Sequence, residues 1–385
     1  MSDEPTPTID SREGFAAALR WGFERAIAQG ERDALSWLGL AYACVGLKDL
    51  AAATVAADAV LTQDSRNVRA LLLKAELQGA QGDERGAAAF LRAALASASA
   101  SEPHPPDLLQ ALERAELALQ ALSQRFETTL RREIEATPAA QAGLPPRFQH
   151  ALDLLTGRRS LYLQQPRLFC FPELPHIQFF DRAMFPWLDA IEAATDDIRQ
   201  ELLAVLGQPQ AFSPYVASDP TRPALNQGGM LDNPDWTAFF LWKNGERVAV
   251  NADRCPRTMA ALAHAPIPHI PTRSPSILFS QLRPGARIPA HTGFVNTRLI
   301  VHLPLIVPPG CTFRVGNETR SWQEGRAWVF DDTIEHEAHN PADTTRVILL
   351  FEIWRPELSE AERALVCTLF EAIGRHEQGV AEWGI

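Results

Sequence analysis

Residues 291–310, HTGFVNTRLIVHLPLIVPPG, and residues 346–359, RVILLFEIWRPELS, carry the strand pattern that decides the fold of the C-terminal part of this chain. Side chains alternate between the two faces of an extended strand. Across residues 297–303 this alternation separates an apolar face from a face that carries Arg298 and His302. The apolar face consists of Leu299, Val301 and Leu303. We therefore predict that the apolar face lies against a core and the opposite face lines a cavity.

Histidines are concentrated in the same strand-rich region. Four of the ten histidines lie there, namely His291, His302, His336 and His339. Clustered imidazoles indicate metal ligands, and non-haem Fe(II) is commonly held by two histidines and one carboxylate. The first half of that signature is H-x-D or H-x-E, whereas here the third position is Gly293. The residues alone leave two hypotheses, either no iron site or an iron site without the carboxylate.

A longer collinear pattern favours the second hypothesis. The pattern covers residues 160–360. It is clearest in the two segments quoted above and in RVGNETRSWQEGRAWVFDDTIEHEAHN at 314–340. This part of the chain resembles the catalytic domain of the aspartyl/asparaginyl β-hydroxylase family. Members of that family are Fe(II)- and 2-oxoglutarate-dependent dioxygenases with a double-stranded β-helix fold, also called jelly-roll or cupin-like. The family has two iron-binding histidines and a glycine in place of the acid. The glycine therefore agrees with the resemblance.

The resemblance implies a role for five side chains of this sequence. His291 and His336 are expected to bind the iron, and Ser280, His302 and Arg346 are expected to hold the cosubstrate 2-oxoglutarate. His291, His336 and Arg346 are thus the expected catalytic set, with O2 as the oxidant. Arg346 begins a predicted strand, from which its guanidinium can reach the far carboxylate of a 2-oxoacid in a bidentate pair.

The substrate is predicted from fewer residues. The resemblance implies hydroxylation of the β-carbon of an Asp- or Asn-like residue in a peptide or protein, with Arg298 as the expected substrate contact. Ile300 and Leu278 stand where animal members have an arginine and a lysine, which leaves hydroxylation of a small molecule or an acyl chain as an alternative. A third hypothesis is an interaction protein whose β-domain binds metal without catalysing a reaction.

The N-terminal third has a different organisation. Residues 34–61 and 68–95 align at an offset of 34 residues, and this alignment superposes Leu38 on Leu72, Ala41 on Ala75, Asp49 on Asp83 and Ala53 on Ala87. A period of 34 with small residues at fixed places is typical of tetratricopeptide repeats. The alternative is an Ala-rich helical bundle whose period is accidental. Such arrays present a concave face, so a protein contact through this region is a further hypothesis.

These patterns predict a multidomain chain that contains both helices and strands. Its predicted parts are a tetratricopeptide-like helical region at 1–125, a linker with a short helix at 126–160, and a double-stranded β-helix domain with supporting helices at 161–385. The finer predictions are a helix at 147–155, an amphipathic helix at 185–206, and a hairpin at 239–248 with Asn-Gly at its turn. Asp331 and Asp332 are predicted to shape the turn before His336, and His339 to be structural.

Composition limits the classes of partner. A chain of 385 residues with 46% hydrophobic residues is long enough for two domains. Its net charge of −11 argues against nucleic acid or an anionic membrane surface as a partner. Residues 1–14 are polar and lack the features of a signal peptide, and no apolar run is long enough to span a membrane. The five cysteines are widely spaced, which favours reduced thiols. Together these features predict a cytoplasmic protein.

Overall fold

The computed structural model describes residues 11–98, 103–208, 211–218 and 228–376. The chain forms two compact units, Met1–Arg159 and Ser160–Ile385. The prediction on a signal peptide falls mostly on residues 1–10, which lie outside the described residues. The predicted boundary at residue 125 is wrong, because a single helix from Pro106 to Glu135 crosses it. The predicted linker therefore belongs to the first unit.

The first unit is helical. Its helices are α1 Arg12–Ala28, α2 Ala34–Gly46, α3 Leu50–Gln63, α4 Val68–Ala80, α5 Glu84–Ser97, α6 Pro106–Glu135 and α7 Pro146–Leu155. The starts of α2 and α4, and those of α3 and α5, are separated by the predicted 34 residues. Asp49 and Asp83 occupy equivalent N-caps, where each carboxylate accepts a backbone N–H of the first helical turn. Ala41 and Ala75 are both buried, which allows neighbouring helices to approach closely.

The second unit contains two antiparallel sheets. Its strands are β1 Ser213–Pro214, β2 Trp236–Lys243, β3 Glu246–Arg247, β4 Ile277–Leu282, β5 Arg287–His291, β6 Arg298–Ile306, β7 Thr312–Val315, β8 Glu318–Ser321, β9 Trp328–Phe330, β10 His336–His339 and β11 Arg346–Trp354. The larger sheet has the order β1-β2-β4-β11-β6-β9, with β3 paired to β2, and the smaller sheet has the order β5-β10-β7-β8. This arrangement is the predicted double-stranded β-helix.

The larger sheet has a core on each of its faces. Leu299, Val301 and Leu303 pack in the cluster that also contains side chains of the supporting helices. Ile300 belongs to the second cluster, to which both sheets contribute. The alternation predicted for β6 is therefore confirmed, and the face that carries Ile300 points between the sheets.

The supporting helices of this unit are α8 Leu188–Ala193, α9 Thr195–Leu206, α10 Ala249–Ala252, α11 Pro256–Leu262 and α12 Glu360–His376. The single helix predicted at 185–206 is wrong, because the chain forms α8 and α9 with a break at Ala194. The Thr195 hydroxyl donates to the Glu192 carbonyl at 2.6 Å and satisfies an acceptor at that break. In the described part of the chain, no helix has both the length and the apolar character needed to cross a membrane.

The predicted hairpin is confirmed. β2 and β3 pair in antiparallel register through Trp242 opposite Arg247 and Lys243 opposite Glu246. Asn244 and Gly245 between them both have positive φ, 51° and 81° respectively. Two consecutive positive φ values are the requirement of a type I′ turn, which Asn-Gly meets at low cost.

Candidate functional site

His291 and His336 lie opposite each other on two neighbouring strands of the smaller sheet. His291 ends β5 and His336 begins β10, and the two residues are direct partners in the antiparallel register. Their ring centroids are 4.1 Å apart. Two residues from distant parts of the sequence thus present their imidazoles to a common point. Such a pair supplies two of the nitrogen ligands that a non-haem iron site uses.

The hydrogen bonds of both rings fix which nitrogen is available to a metal. Nδ1 of His291 lies 2.7 Å from the Pro289 carbonyl oxygen, and Nδ1 of His336 lies 3.0 Å from that of Ile334. A carbonyl only accepts, so each Nδ1 carries the proton and each Nε2 keeps its lone pair. Burial lowers the pKa of His291, and burial together with His291 lowers the pKa of His336 well below its usual value. Both rings are therefore neutral, as ligation requires.

The side chains of His291 and His336 line a cavity between the two sheets. The cavity has an empty volume of about 420 Å³, which includes its open mouth. Most of its wall is apolar and aromatic. The polar side chains of the wall are those of Ser280, His291, His302, Asp332, His336, Glu337 and Arg346. The structure therefore brings together five of the six predicted site residues, namely Ser280, His291, His302, His336 and Arg346.

Arg346 is a buried cation in this cavity. Its side chain is 1% exposed, and its Nη1 donates to the Ser280 carbonyl at 3.4 Å. The guanidinium carbon lies 4.8 Å from the centroid of the Trp322 ring. Within the described residues, its Nε has no hydrogen-bond partner and no carboxylate pairs with it. Burial lowers the pKa of Arg346 to about 10. A desolvated cation without a counterion is the condition under which an anionic ligand binds well.

His302 and Ser280 lie beside this cation. Burial and the charge of Arg346 hold the pKa of His302 well below its usual value, so the ring is neutral. Its Nδ1 is buried and has no hydrogen-bond partner in the part of the chain that the structure describes. The Ser280 hydroxyl accepts from Nε1 of Trp236 at 3.2 Å, which leaves its own O–H able to donate. The hydroxyl, the imidazole and the guanidinium can thus bind one oxygen-rich ligand together.

Asp332 is a cavity residue that the sequence reasoning missed. Asp331 does shape the turn, since its carboxylate accepts from the Thr333 backbone and hydroxyl at 3.0 and 2.6 Å. Asp332 instead lines the cavity, and its buried Oδ1 has no partner among the described residues. Burial raises the pKa of its carboxyl to about 6. The prediction that both acids shape the turn is therefore wrong for Asp332. Two adjacent acids shortly before the predicted ligand His336 could have indicated two different roles.

Arg298 is not among the residues that line the cavity of the other predicted site residues. Its Nη1 lies 3.1 Å from Glu352 Oε1 and its Nη2 lies 3.3 Å from Asp332 Oδ2. All three side chains are almost fully buried, with exposed fractions of 4%, 1% and 0% for Arg298, Glu352 and Asp332. Arg298 lines a second, smaller cavity together with Glu352. A guanidinium held by two carboxylates has little capacity left for a substrate, so the expected substrate contact at Arg298 is not supported by this geometry.

Comparisons of this sequence with a family model and with individual proteins both find similarity to hydroxylases. The family model described as aspartyl/asparaginyl beta-hydroxylase matches residues 192–356. Human aspartyl/asparaginyl beta-hydroxylase is 38% identical over 167 residues, which are 43% of this chain and 21% of that protein. Ornithine lipid ester-linked acyl 2-hydroxylase of Rhizobium tropici is 36% identical over 196 residues, which are 50% of this chain and 65% of that protein. This chain thus spans less than two thirds of the length of both relatives.

Solved cupin domains align with smaller parts of the chain. A cupin domain from Bordetella pertussis is 22% identical, with a TM-score of 0.18, and the match covers 21% of this chain and 82% of that domain. The fold is therefore assigned from the strand pairing described above. Residues 192–356, which match the family model, contain the facing histidines, the glycine at position 293 and the buried arginine. Through residues 192–356, the chain is similar to the aspartyl/asparaginyl beta-hydroxylase family.

Proposed function

We propose that this chain is an Fe(II)- and 2-oxoglutarate-dependent hydroxylase. The observation that carries the proposal is the combination, in one cavity, of two neutral imidazoles with available Nε2 atoms and a buried arginine without a carboxylate partner among the described residues. Two imidazoles suit a divalent iron, and the arginine suits a dicarboxylate that would accompany it.

The side chains of the cavity fit the metal. His291 and His336 would hold Fe(II) through Nε2, since their Nδ1 protons are committed to carbonyl oxygens. Within the described residues, no group of three or more His, Cys, Asp or Glu side chains is arranged for a metal, so two protein ligands leave positions for exogenous ones. When bound, Fe(II) with 2-oxoglutarate and O2 would supply the oxidation that converts an unactivated C–H bond into an alcohol.

The same cavity fits 2-oxoglutarate. Arg346 would hold the carboxylate remote from the metal, with the Ser280 hydroxyl as a second donor to it. His302 is neutral, and its Nδ1 has no partner within the described ranges, so it can offer one further hydrogen bond. Aromatic side chains around His302, with Phe313 and Phe330 at ring-centroid distances of 4.9 and 4.7 Å, exclude water and strengthen these contacts.

For the substrate we propose the β-carbon of an Asp- or Asn-like residue in a peptide or protein. The human relative is named for aspartyl and asparaginyl residues. The Rhizobium relative is named for an acyl chain, and one observation favours that second candidate: Ile300 presents a fully buried apolar side chain to the cavity. Succinate release is measured once with peptides and once with lipids whose acyl chains carry no hydroxyl group. The class of compound that stimulates the release identifies the substrate.

The first experiment is anaerobic addition of Fe(II) and 2-oxoglutarate to the metal-free protein. A visible charge-transfer band is expected in the wild type and is expected to be lost in His336→Ala. His339→Ala is the matched control, because His339 lies at the other end of β10 outside the cavity wall. A folded wild-type protein without the band would reject the proposed function and favour a catalytically idle metal-binding or interaction domain.

A further inference from the structure

Asn340 directly follows β10, and its side chain is fully buried, with an exposed fraction of 0%. Its Nδ2 donates to the carbonyl oxygens of Leu282, Arg283 and Thr344 at 3.0, 3.0 and 2.9 Å. Because a carbonyl only accepts, these three neighbours fix which end of the carboxamide is the nitrogen. Two N–H groups thus serve three carbonyls, so one of these hydrogen bonds is shared.

The oxygen and the backbone of Asn340 connect further segments. Oδ1 accepts from the Ala342 backbone N–H and from the Cys311 thiol, both at 3.2 Å. The backbone N–H of Asn340 donates to the Ala286 carbonyl at 3.0 Å. Cys311 immediately precedes β7, and Ala286 immediately precedes β5. Asn340 therefore connects strand ends of both sheets.

The three carbonyls bound by Nδ2 lie on both sides of the backbone of Arg346. Arg346 is the first residue of β11, and its register partner is Leu282, the last residue of β4. Thr344 lies two residues before Arg346. Ser280 lies two residues before Leu282 on the same strand, and therefore on the same face. A single carboxamide thus holds together the two strand ends that carry Arg346 and Ser280.

The Arg346 guanidinium has few contacts of its own that fix its position. Its hydrogen bond to the Ser280 carbonyl is 3.4 Å long, and its Nε has no partner in the described part of the chain. Its other contact is with the Trp322 ring, whose centroid lies 4.8 Å from the guanidinium carbon. The position of this cation therefore depends on the backbone at the start of β11. A buried polar network in which the members are satisfied keeps such a backbone rigid.

We propose that Asn340 is a positioning residue that places the Arg346 guanidinium for the remote carboxylate of 2-oxoglutarate. The inference rests on the proposed function for the identity of the ligand. A guanidinium and a carboxylate form a bidentate pair only in a defined geometry. Loss of the carboxamide lets the start of β11 shift against the end of β4, which weakens that pair. His291 and His336 lie at the opposite ends of β5 and β10 from Asn340, so the predicted metal ligands keep their places.

The test compares two 2-oxoacids on the full chain loaded with Fe(II) in the absence of oxygen. 2-Oxobutyrate has the same metal-binding end as 2-oxoglutarate but no remote carboxylate. The charge-transfer band gives a dissociation constant for each acid. Asn340→Ala is expected to raise the dissociation constant of 2-oxoglutarate by about ten-fold or more, and that of 2-oxobutyrate by about two-fold or less. A general loss of order would weaken both acids equally, so the ratio of the two constants identifies positioning.

Two further variants of single residues make the test specific. Asn340→Asp fills nearly the same volume but lacks both N–H donors, and it is expected to change the ratio as Asn340→Ala does. Asn296→Ala is the matched control, because Asn296 is also 0% exposed and its side-chain hydrogen bonds go to residues 164–171. This control is expected to lose stability without changing the ratio.

A double variant tests whether Asn340 acts through Arg346. In an Arg346→Met background, Asn340→Ala is expected to cause no further loss of affinity for 2-oxoglutarate, because the guanidinium that it positions is absent. Additive losses, equal weakening of both acids, or an unchanged affinity for 2-oxoglutarate in Asn340→Ala would each overturn the proposal. Failure of both Asn340 variants to fold would assign Asn340 to the fold alone and would also overturn it.

The wild-type band separates failure of this inference from failure of the proposed function. If the wild type forms the band and the Asn340 variants bind 2-oxoglutarate normally, the proposed function stands and the inference is rejected. If the wild type forms no band, crystal structures of the ligand-free wild type and Asn340→Ala decide the inference. A displacement of the Arg346 guanidinium by about 1 Å or more supports it, since errors of that size disturb binding geometry. An unchanged guanidinium position rejects it.

Discussion

Gly293 and the Asp332 carboxylate occupy adjoining space, such that a Cβ at position 293 would overlap Asp332. The Gly293 N–H also donates to the Asp332 carbonyl at 2.7 Å. In the H-x-D/E pattern of two-histidine, one-carboxylate iron sites, position 293 would supply the acid. Here that space is taken by a carboxylate from another segment. The glycine at position 293 is thus a packing requirement of this fold.

This relationship predicts a coupling between the two positions. Gly293→Ala is expected to destabilise the C-terminal unit by about 1–3 kcal/mol, because the methyl group cannot fit beside the buried Asp332 side chain. The same substitution in an Asp332→Ala background is expected to cost much less, because the overlapping carboxylate is gone. Urea titration of the four proteins in a double-mutant cycle measures the coupling free energy. Equal costs of Gly293→Ala in both backgrounds would show that the overlap has no energetic consequence.

A second prediction concerns the buried ion pair of Arg298. Replacing Arg298 by Met leaves Glu352 and Asp332 buried without their cation, and such a loss typically costs about 3–5 kcal/mol. Burial already raises the pKa of Glu352, and Arg298 opposes that rise. In Arg298→Met the pKa of Glu352 therefore rises further above its unfolded value.

The sign of the pH dependence follows from that shift. A carboxyl whose pKa is raised in the folded state contributes stability that is present below its unfolded pKa of about 4.3 and is lost as the pH rises through the folded pKa. Arg298→Met is therefore expected to lose more stability than the wild type between about pH 5 and about pH 8. Urea titration at both pH values tests this.

Asp332 also loses its cation, and its pKa, already raised to about 6 by burial, rises further in Arg298→Met. Adding Glu352→Gln should therefore remove only the part of the extra pH dependence that belongs to Glu352, and the part that remains is assigned to Asp332. An extra pH dependence that Glu352→Gln does not reduce would contradict the role given to Glu352.

Local patterns predicted much of this fold. The alternation in residues 297–303 depends only on the period of two in a strand. Ile300 and Val301 can therefore be assigned to opposite faces without knowledge of distant residues, and the observed clusters agree. Asn244-Gly245 determines its own turn through two positive φ values. The 34-residue offset likewise requires only that equivalent residues occupy equivalent helices. In each case the information lies within one or two adjacent elements.

Features that depend on partners distant in sequence were not predicted. Alternation correctly put Arg298 on the inner face, but it could not identify Glu352, 54 residues away, as the group that holds it. Asp332 was assigned to a turn because its spacing from His336 does not show which way the side chain points. The break at Ala194 is not visible in the sequence pattern, because the buried apolar residues of α8 and α9 follow one another at nearly the same helical spacing. Burial and pairing, which decide these roles, are properties of the folded chain.

A third prediction follows from the division into two units. A protein that begins at Ser160 is expected to fold and to give the same Fe(II)–2-oxoglutarate band as the full chain, because the facing histidines and Arg346 lie within Ser160–Ile385. A protein that begins at residue 126 would instead retain a fragment of α6, which runs to Glu135, and is expected to aggregate more. Spectroscopy and size-exclusion chromatography of the two proteins test this. Loss of peptide-stimulated turnover with retention of the band would assign peptide binding to the helical unit.

The last prediction concerns Arg346, whose replacement should change stability and cosubstrate affinity in opposite directions. The guanidinium is buried, makes one long hydrogen bond at 3.4 Å to the Ser280 carbonyl, and has no carboxylate partner among the described residues. Its desolvation therefore opposes folding of the ligand-free protein. Arg346→Met keeps a side chain of adequate length in the cavity without the charge, so the ligand-free variant is expected to unfold at a higher urea concentration than the wild type.

The same variant should bind 2-oxoglutarate more weakly by about 10–100-fold, as expected for the loss of charge-assisted hydrogen bonds to a carboxylate. Fe(II) affinity should be unchanged, because Arg346 does not contact the predicted ligand atoms. Titration of 2-oxoglutarate into the Fe(II)-loaded variant measures the first effect, and urea titration of the ligand-free protein measures the second. A variant that is less stable and also binds 2-oxoglutarate normally would identify Arg346 as a structural cation. Higher stability with weaker binding would show that the buried charge is retained for the cosubstrate.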